Sequence, residues 1–266
     1  MNILFIGDVV GKPGREVVKY SLNKYLEEYN IDFVIANLEN VSHGKGLLRS
    51  HFLEMLDSGI DVVTLGNHYL AKKEILDFIY DYDNLLRPAN LHKSIPGHGS
   101  DVYQCGKFKI RVTNLIGRIF LNETANNPFD VLQDIVEHDD SDFHFVDFHA
   151  EATGEKQALA WAFDGKISGL FGTHTHVQTN DLRKLEKGTL YISDVGMCGP
   201  YNGILGSSRD RVILKTWTGQ PTIFTVQEDD EYIFSAIIIC IDDDTKKIID
   251  YKSIYDVIKE SEIKNG

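Results

Sequence analysis

The chain has 266 residues, of which 42% are hydrophobic and 25% charged, as expected for a globular protein large enough to bury a substantial core. Its formal net charge of −13 excludes a long nucleic-acid duplex as an expected partner, because duplex binding needs a basic surface that displaces counterions. The three cysteines are widely separated and form no CxxC pair, which argues against a structural zinc finger and indicates a reducing compartment.

The first half of the chain alternates predicted strands and helices, and this order implies a parallel sheet because each connection carries a helix. Asp8 interrupts the apolar start and no basic segment precedes it, so we expect no signal peptide and a cytoplasmic protein. The predicted elements of this half are strands at 2–8, 32–37 and 61–65, helices at about 15–29, 49–57 and 72–81, and a turn or edge segment at 86–90.

The second half repeats the pattern and then turns to antiparallel strands. Residues 142–149 alternate polar and apolar side chains, which predicts a half-buried strand. The apolar run from Phe234 to Ile241 is too short to span a bilayer, so no membrane partner is expected. The other predictions are strands at 101–105, 108–114, 167–172 and 189–194, helices at about 155–163 and 208–216, loops at 117–128 and 195–206, and antiparallel strands at 221–227, 232–241 and 247–255.

No linker, low-complexity tract or internal repeat divides the chain. We therefore predict a single domain over residues 1–266, with two sheets and helices outside them.

Polar side chains of metal-ligand type follow successive predicted strands. Gly66-Asn67-His68 sets an amide oxygen and an imidazole at the carboxyl edge of a sheet, where open α/β sheets place their sites. Taken singly, the acidic and amide candidates have ordinary alternative roles as turn residues or helix caps. His149 has the alternative role of a hydrogen-bonded histidine at a strand end. Their recurrence at successive strand ends favours one shared site. The candidate ligands are Asp8, Glu39, Asn40, Asn67, His149, His174 and His176.

Carboxylates, amide oxygens and imidazoles suit iron, manganese or zinc. His174 and His176 are two residues apart, so in an extended strand they share a face and serve two ions or opposite edges of one. The set predicts a two-metal site that clamps a phosphoryl group and lowers the pKa of a bridging water. Glu39 is the candidate bridge between the ions, and His68 is the candidate proton donor to the leaving oxygen.

Three further residues are candidate substrate contacts. His43 and Lys45 lie in a Gly-flanked loop, where phosphate binding competes with an ordinary surface role. Arg118 is suited to neutralising a substrate anion, and a surface role is equally compatible with its position.

The complete set resembles the calcineurin-like metallophosphoesterases. Their pattern is a strand-end Asp, a second bridging acid, Gly-Asn-His, a lone His and a final Gly-x-His-x-His. Here Val10 stands where most members have His, and Glu39 stands where most have Asp. Both departures match a narrower bacterial branch, the YmdB-type cyclic-nucleotide phosphodiesterases. The segments similar to this branch cover essentially the whole chain and are Phe5–Gly11, His43–Gly46, Arg87–Asn90, Asp147–Thr153, Gly172–Thr179 and Asp194–Met197.

The resemblance implies an α/β fold, a four-layer αββα sandwich of two mixed sheets. It also implies a two-metal centre often assigned as iron, hydrolysis of 2′,3′- and 3′,5′-cyclic nucleotides with His68 as proton donor, and a homo-oligomer. By the same likeness, one ion would take Asp8, Glu39, Asn40 and His176. The other ion would take Glu39, Asn67, His149 and His174.

Three functions follow as hypotheses. The leading one is phosphodiester hydrolysis by in-line attack of a metal-activated hydroxide on a small phosphorylated substrate. A 5′-nucleotidase or another phosphomonoesterase would use the same ligands. A regulatory protein that binds a cyclic nucleotide or an RNA-processing partner is the third, and the complete ligand set weighs against it.

Overall fold

The computed structural model describes residues 1–265, which form two mixed β-sheets and their flanking helices. The helices are α1 (Gly11–Glu28), α2 (Arg49–Asp57), α3 (Pro128–Glu137), α4 (Thr153–Ala162), α5 (Arg209–Thr218) and α6 (Glu260–Asn265). The strands are β1 (Asn2–Val9), β2 (Phe33–Asn37), β3 (Val62–Thr64), β4 (Leu85–Leu86), β5 (Ser100–Cys105), β6 (Phe108–Ile116), β7 (Phe143–His149), β8 (Gly169–Thr173), β9 (Arg183–Lys184), β10 (Leu190–Ile192), β11 (Met197–Pro200), β12 (Glu231–Asp242) and β13 (Lys247–Lys259).

Both sheets are parallel in the middle and antiparallel at an edge. Sheet one has the strand order β13-β12-β11-β1-β2-β3-β4. Its strands β11, β1, β2, β3 and β4 are parallel neighbours, whereas β12 and β13 are antiparallel. Sheet two has the order β5-β6-β7-β8-β10-β9, with β6, β7, β8 and β10 parallel and both edges antiparallel.

Alternation along the strands divides the core into layers. In β1, Phe5 points between the sheets, where its ring centroid lies 4.9 Å from that of Phe171 in β8. Leu4 points the other way and belongs to the cluster between sheet one and α1. On the far side, Phe148 of β7 packs with Leu159 of α4. Successive strand residues face opposite sides, so helices, sheet, sheet and helices follow one another in the predicted αββα order.

Three predictions about sheet one and its connections were wrong. Residues 72–81 form a 3-10 helix at Lys73–Asp77 instead of an α-helix. The apolar residues of this segment are spaced as in a helix because Ile75, Phe78 and Ile79 are buried. The segment 195–206 is not a loop throughout, because β11 pairs in parallel with β1. The segment 221–227 forms a single bridge, through Val226, instead of a strand.

In sheet two, the structure corrects one strand and adds a helix that was not predicted. All seven residues of β7 are buried, because sheet one covers one face and helices cover the other. Helix α3 fills a segment for which no element was predicted. The sequence signal for this helix was Asn127-Pro128, a capping residue followed by a proline. In the structure, Asn127 accepts a hydrogen bond from Phe129 N, and Pro128 occupies the first turn. No helix within residues 1–265 is both long and apolar enough to cross a membrane.

Candidate metal centre

The strands of both sheets bring the predicted ligands to one edge. Asp8 lies near the end of β1, where the β1–β2 pairing shifts register between Ile6 and Asp8. Gly7 permits the close approach of β1 to Gly196, since a Cβ there would lie 2.0 Å from the carbonyl oxygen of Gly196. His149 is the last residue of β7 in the other sheet. Asp8 Oδ1 lies 3.9 Å from His149 Nδ1, so the two sheets meet at this point.

The most compact group of ligand atoms surrounds His149. One ligand atom each from Glu39, His149 and His174 lie within 4.8 Å of one another. His149 Nε2 is 3.2 Å from Glu39 Oε1, 3.0 Å from His174 Nδ1 and 2.9 Å from Asn67 Oδ1. An amide oxygen, a carboxylate oxygen and two imidazole nitrogens thus converge on one point.

A second group of candidate ligands consists of Asp8, Asn40 and His176. His176 Nε2 is 3.8 Å from Asp8 Oδ1 and 3.1 Å from Asn40 Nδ2. Asn40 Nδ2 also donates to Glu39 Oε1 at 3.0 Å. Glu39 therefore contacts members of both groups, which is the position that a bridging ligand requires.

Burial and charge make this site suited to a cation. Asp8 is fully buried, its Oδ1 has no hydrogen-bond partner among residues 1–265, and burial raises its pKa. Burial opposes ionisation of Glu39 too, but the charge and hydrogen bond of His149 hold the Glu39 pKa below its ordinary value. Although burial also lowers the pKa of His149, the Glu39 carboxylate raises it to about 9. Buried carboxylates that recruit a positive charge fit a metal site.

Each of the three histidines has an acceptor for the ring nitrogen that faces away from the centre. His149 Nδ1 donates to Thr173 Oγ1 at 2.9 Å, and His176 Nδ1 donates to the carbonyl oxygen of Leu205 at 3.0 Å. His174 Nε2 lies 3.1 Å from Glu151 Oε2. A proton held on the outer nitrogen leaves the inner nitrogen as a lone-pair donor, as metal-ligating histidines require. The donor set therefore fits an iron, manganese or zinc ion.

Asp147 supports His149 from beneath, and it was not among the predicted site residues. Its buried carboxylate accepts hydrogen bonds from Thr173 Oγ1 at 2.7 Å, from Asn37 Nδ2 at 3.0 Å and from Thr64 Oγ1. Thr173 thus connects Asp147 to His149. The sequence contained one signal that could have identified Asp147. It lies two residues before His149 on the same strand, and so on the same face.

The turn that carries His174 and His176 differs from the predicted extended strand. Strand β8 ends at Thr173, and the two histidines have φ angles of 106° and 65°. The turn is fixed by Asp194, whose Oδ2 accepts from Thr175 N at 2.9 Å and from Lys156 Nζ at 3.0 Å. The histidines approach the centre through this anchored turn instead of through strand alternation.

Gly66 is the residue that lets Gly66-Asn67-His68 approach the ligands. A Cβ at Gly66 would lie 2.4 Å from Glu39 Oε2 and 2.4 Å from His149 Cδ2. His68 N donates to Glu39 Oε2 at 2.9 Å, and His68 Nδ1 is 2.7 Å from Asn40 Oδ1. Burial lowers the pKa of His68, the Glu39 charge opposes this, and Lys45 lowers it further.

The three candidate substrate contacts are exposed and lie in two different segments of the chain. Lys45 is exposed and close enough to His68 to affect its pKa. His43 is exposed in the same loop, and its ring centroid lies 5.8 Å from that of His51. Arg118 is exposed, and its backbone N–H donates to Glu155 Oε1 at 2.9 Å.

The chain is similar to known proteins along most of its length. The family described as YmdB-like protein matches residues 4–254. A 2′,3′-cyclic-nucleotide 2′-phosphodiesterase from Bacillus subtilis (strain 168) is 47% identical over 256 residues, which cover 96% of each chain.

Two solved structures superpose on nearly the whole fold. A crystal structure of a novel phosphatase from Mycoplasma pneumoniae has a TM-score of 0.93 and 38% identity, covering 100% of this chain and 96% of that one. A crystal structure of a hypothetical protein from Thermus thermophilus has a TM-score of 0.91 and 35% identity, covering 97% and 99%. The predicted calcineurin-like, two-sheet fold is confirmed, and the chain belongs to the YmdB-like protein family.

Proposed function

We propose that this chain is a metal-dependent phosphodiesterase that hydrolyses 2′,3′- or 3′,5′-cyclic nucleotides, or both. The observation that carries the proposal is the convergence of Glu39, His149 and His174 ligand atoms within 4.8 Å of one another. The 47% identity to a 2′,3′-cyclic-nucleotide 2′-phosphodiesterase supports the substrate class. We also propose that the chain forms a single domain, that the enzyme is cytoplasmic and that it assembles as a homo-oligomer.

Seven residues would hold two metal ions in this proposal. Asp8, Asn40 and His176 would contribute to one ion, Asn67, His149 and His174 would contribute to the other, and Glu39 would contribute to both. Ions bound there would supply Lewis-acid activation of the phosphoryl group and of the attacking water. The metal identity would be iron, manganese or zinc, because mixed nitrogen and oxygen sites accept each of them.

The remaining steps belong to side chains of the chain itself. His68 lies beside the centre, and its Nδ1 donates to Asn40 Oδ1 at 2.7 Å. In the imidazolium form it would also carry a proton on Nε2, and this is the proton that would go to the leaving oxygen. Lys45 is exposed, and its charge would hold a phosphate oxygen. Arg118 and His43 are proposed as weaker contacts at the rim.

A phosphomonoesterase is the second candidate. The similarity to the Mycoplasma pneumoniae phosphatase favours it, and the ligand set would be the same. A regulatory protein that binds a cyclic nucleotide or an RNA-processing partner without turnover is the third.

The test compares kcat/KM on 2′,3′-cyclic AMP, 3′,5′-cyclic AMP and AMP, for the wild type and for Asn67→Ala. We expect the wild type to prefer a cyclic nucleotide. Asn67→Ala should lose more than about 100-fold, since even residues that only orient a metal ligand cost about 10- to 100-fold. Asn23→Ala, on the exposed face of α1, is the matched control and should retain activity.

Each alternative has its own outcome in this comparison. Preference for AMP would replace the proposal with the phosphomonoesterase. Tight binding of a cyclic nucleotide by the metal-loaded protein, with no product from any of the three substrates, would replace it with the regulatory protein.

A further inference from the structure

A cavity of about 350 Å³ adjoins the candidate metal centre on the far side of His176. We call it the His176 cavity. Its walls include Tyr201, Leu205, Ser235 and Tyr255, together with His176 itself. Its volume lies within the range of about 300–1,000 Å³ that is typical of small-molecule sites.

The lining of the His176 cavity is uncharged. In a chain with a net charge of −13, none of the residues that line it is Asp, Glu, Lys or Arg. Apolar groups and uncharged polar groups share its wall, which includes two tyrosine rings, with Tyr201 41% and Tyr255 52% exposed. Such a surface suits a neutral, flat group, since aromatic faces stack on nucleobases without needing charge. The lining contains no lysine, arginine or carboxylate to pair with a phosphate or a metal ion.

Ser235 is a polar group in this wall whose hydrogen bonding is incomplete. It lies on β12 opposite Tyr255 of β13, so the two side chains share a face of sheet one. Ser235 is 1% exposed, and its Oγ has no hydrogen-bond partner among residues 1–265. A buried hydroxyl without a partner is unfavourable, and a ligand with polar ring atoms would supply one.

The cavity and the metal centre share the ring of His176. Its Nε2 faces Asp8 and Asn40, while its Nδ1 donates to the carbonyl oxygen of Leu205, a residue of the cavity wall. A molecule that places a phosphoryl group at the centre would therefore bring its neighbouring part over His176 and Leu205. In a cyclic nucleotide, that part is the ribose and its base.

We propose that the His176 cavity binds the nucleobase of the substrate, with Tyr201 and Tyr255 as stacking surfaces and Ser235 Oγ as a hydrogen-bonding group. The inference rests on the proposed phosphodiesterase function and assigns it a base-recognition site. An apolar side chain of a second copy is the competing occupant, and the experiment distinguishes the two.

The experiment measures KM for 2′,3′-cyclic AMP and for 1-O-methylribose 2′,3′-cyclic phosphate, which has no base. In the wild type, the KM for 2′,3′-cyclic AMP should be lower. Tyr201→Ala should raise the ratio of the KM for 2′,3′-cyclic AMP to the KM for the base-free ester about 10-fold, as expected for the loss of one stacked base. Ser235→Ala should shift the ratio in the same direction. Tyr80→Ala, at an exposed tyrosine outside the cavity, should leave the ratio unchanged.

The outcomes separate this inference from the proposed function. Hydrolysis of both esters by the wild type with equal KM would overturn the base site and keep the phosphodiesterase. Hydrolysis of neither ester, together with no hydrolysis of 3′,5′-cyclic AMP, would overturn the function itself. A Tyr201→Ala protein that sediments as a smaller species but keeps the wild-type KM ratio would assign the cavity to a second copy and overturn the base site.

Discussion

At the scale of single residues, the orientation of His149 depends on two groups that do not face the candidate metal centre. Thr173 Oγ1 donates to Asp147 Oδ1 at 2.7 Å and accepts from His149 Nδ1 at 2.9 Å. The carboxylate thereby fixes the direction of the hydroxyl, and the hydroxyl fixes the proton on Nδ1. Partners of this kind keep a ligating nitrogen free and correctly aimed.

Thr173→Val removes the hydroxyl and conserves the side-chain shape. We expect the affinity for Mn²⁺ or Zn²⁺ to fall about 10- to 100-fold, because His149 loses the acceptor that fixes its tautomer. Thr173→Ser should retain most of the affinity, and Thr216→Val, on exposed α5, should retain all of it. Competition titration against a chelator measures the dissociation constants. A Thr173→Val protein that binds metal as tightly as the wild type would disprove the orienting role.

The ligand-type residues could be predicted as a set, because acids, amides and imidazoles recur after buried apolar runs. Their supporting residues could not. Thr64 and Asn37 are ordinary strand residues in the sequence, and their contact with Asp147 depends on how the two sheets meet. The positive φ angles of His174 and His176 could not be predicted from the sequence pattern either. The turn that carries them is held by Asp194, which lies outside that turn and accepts a hydrogen bond from Thr175 N.

At the scale of elements, the segment that follows α3 is attached to β6 by Asp139. Its Oδ1 accepts from Arg111 Nε at 2.8 Å, and both side chains are mostly shielded from solvent. Burial raises the pKa of Asp139, but His144 and Arg111 more than offset this and hold it well below the ordinary value of 3.8. A carboxyl with a depressed pKa stabilises the fold above its unfolded pKa, and this contribution is lost as pH falls through the folded value.

Asp139→Asn is expected to lower the free energy of unfolding by about 1–2 kcal/mol at neutral pH, because a charge-assisted hydrogen bond is lost. The difference from the wild type should shrink as pH falls below the unfolded pKa of 3.8. Urea unfolding at about pH 7 and about pH 3 measures both values. The matched control is Asp140→Asn, whose exposed ion pair with Lys109 should contribute little. An Asp139→Asn difference that stays constant with pH would contradict this account.

Strong periodicity made most elements predictable, and weak or interrupted periodicity concealed the others. Strands β1 and β12 read as apolar runs, so their positions follow from the sequence. Strand β11 contains Gly199 and Pro200, which ordinarily mark turns, and it becomes a strand because β1 offers it a partner. Residues 73–77 show the opposite case. Their segment has the apolar spacing of an α-helix because its apolar side chains are buried, but it forms a 3-10 helix.

At the scale of the whole molecule, the candidate centre joins the two sheets. In sheet one, Asp8 lies near the end of β1 and Glu39 follows β2. In sheet two, His149 is the last residue of β7 and His174 follows β8. A metal ion held by both sets would link the sheets in the folded state alone, and ligands that bind only the folded state stabilise it in proportion to the logarithm of their concentration over Kd.

Removal of metal should therefore lower the melting temperature. At a free metal concentration of about 1,000 times Kd, the bound ion would add about 4 kcal/mol to the free energy of unfolding. Differential scanning calorimetry before and after chelation and Mn²⁺ addition measures the shift. Glu39→Gln should abolish most of it, because this residue contacts both groups of ligands. Equal melting temperatures for the metal-loaded and metal-free wild type would contradict a centre that spans the sheets.

The most direct test of the central claim measures bound transition metal and 2′,3′-cyclic AMP hydrolysis on one sample, beside Glu39→Gln and the exposed control Glu27→Gln. The account predicts about two ions per chain with turnover in the wild type and in Glu27→Gln, and loss of both properties in Glu39→Gln. Full hydrolysis by a metal-free Glu39→Gln protein, or a wild type that binds no metal after reconstitution, would contradict it.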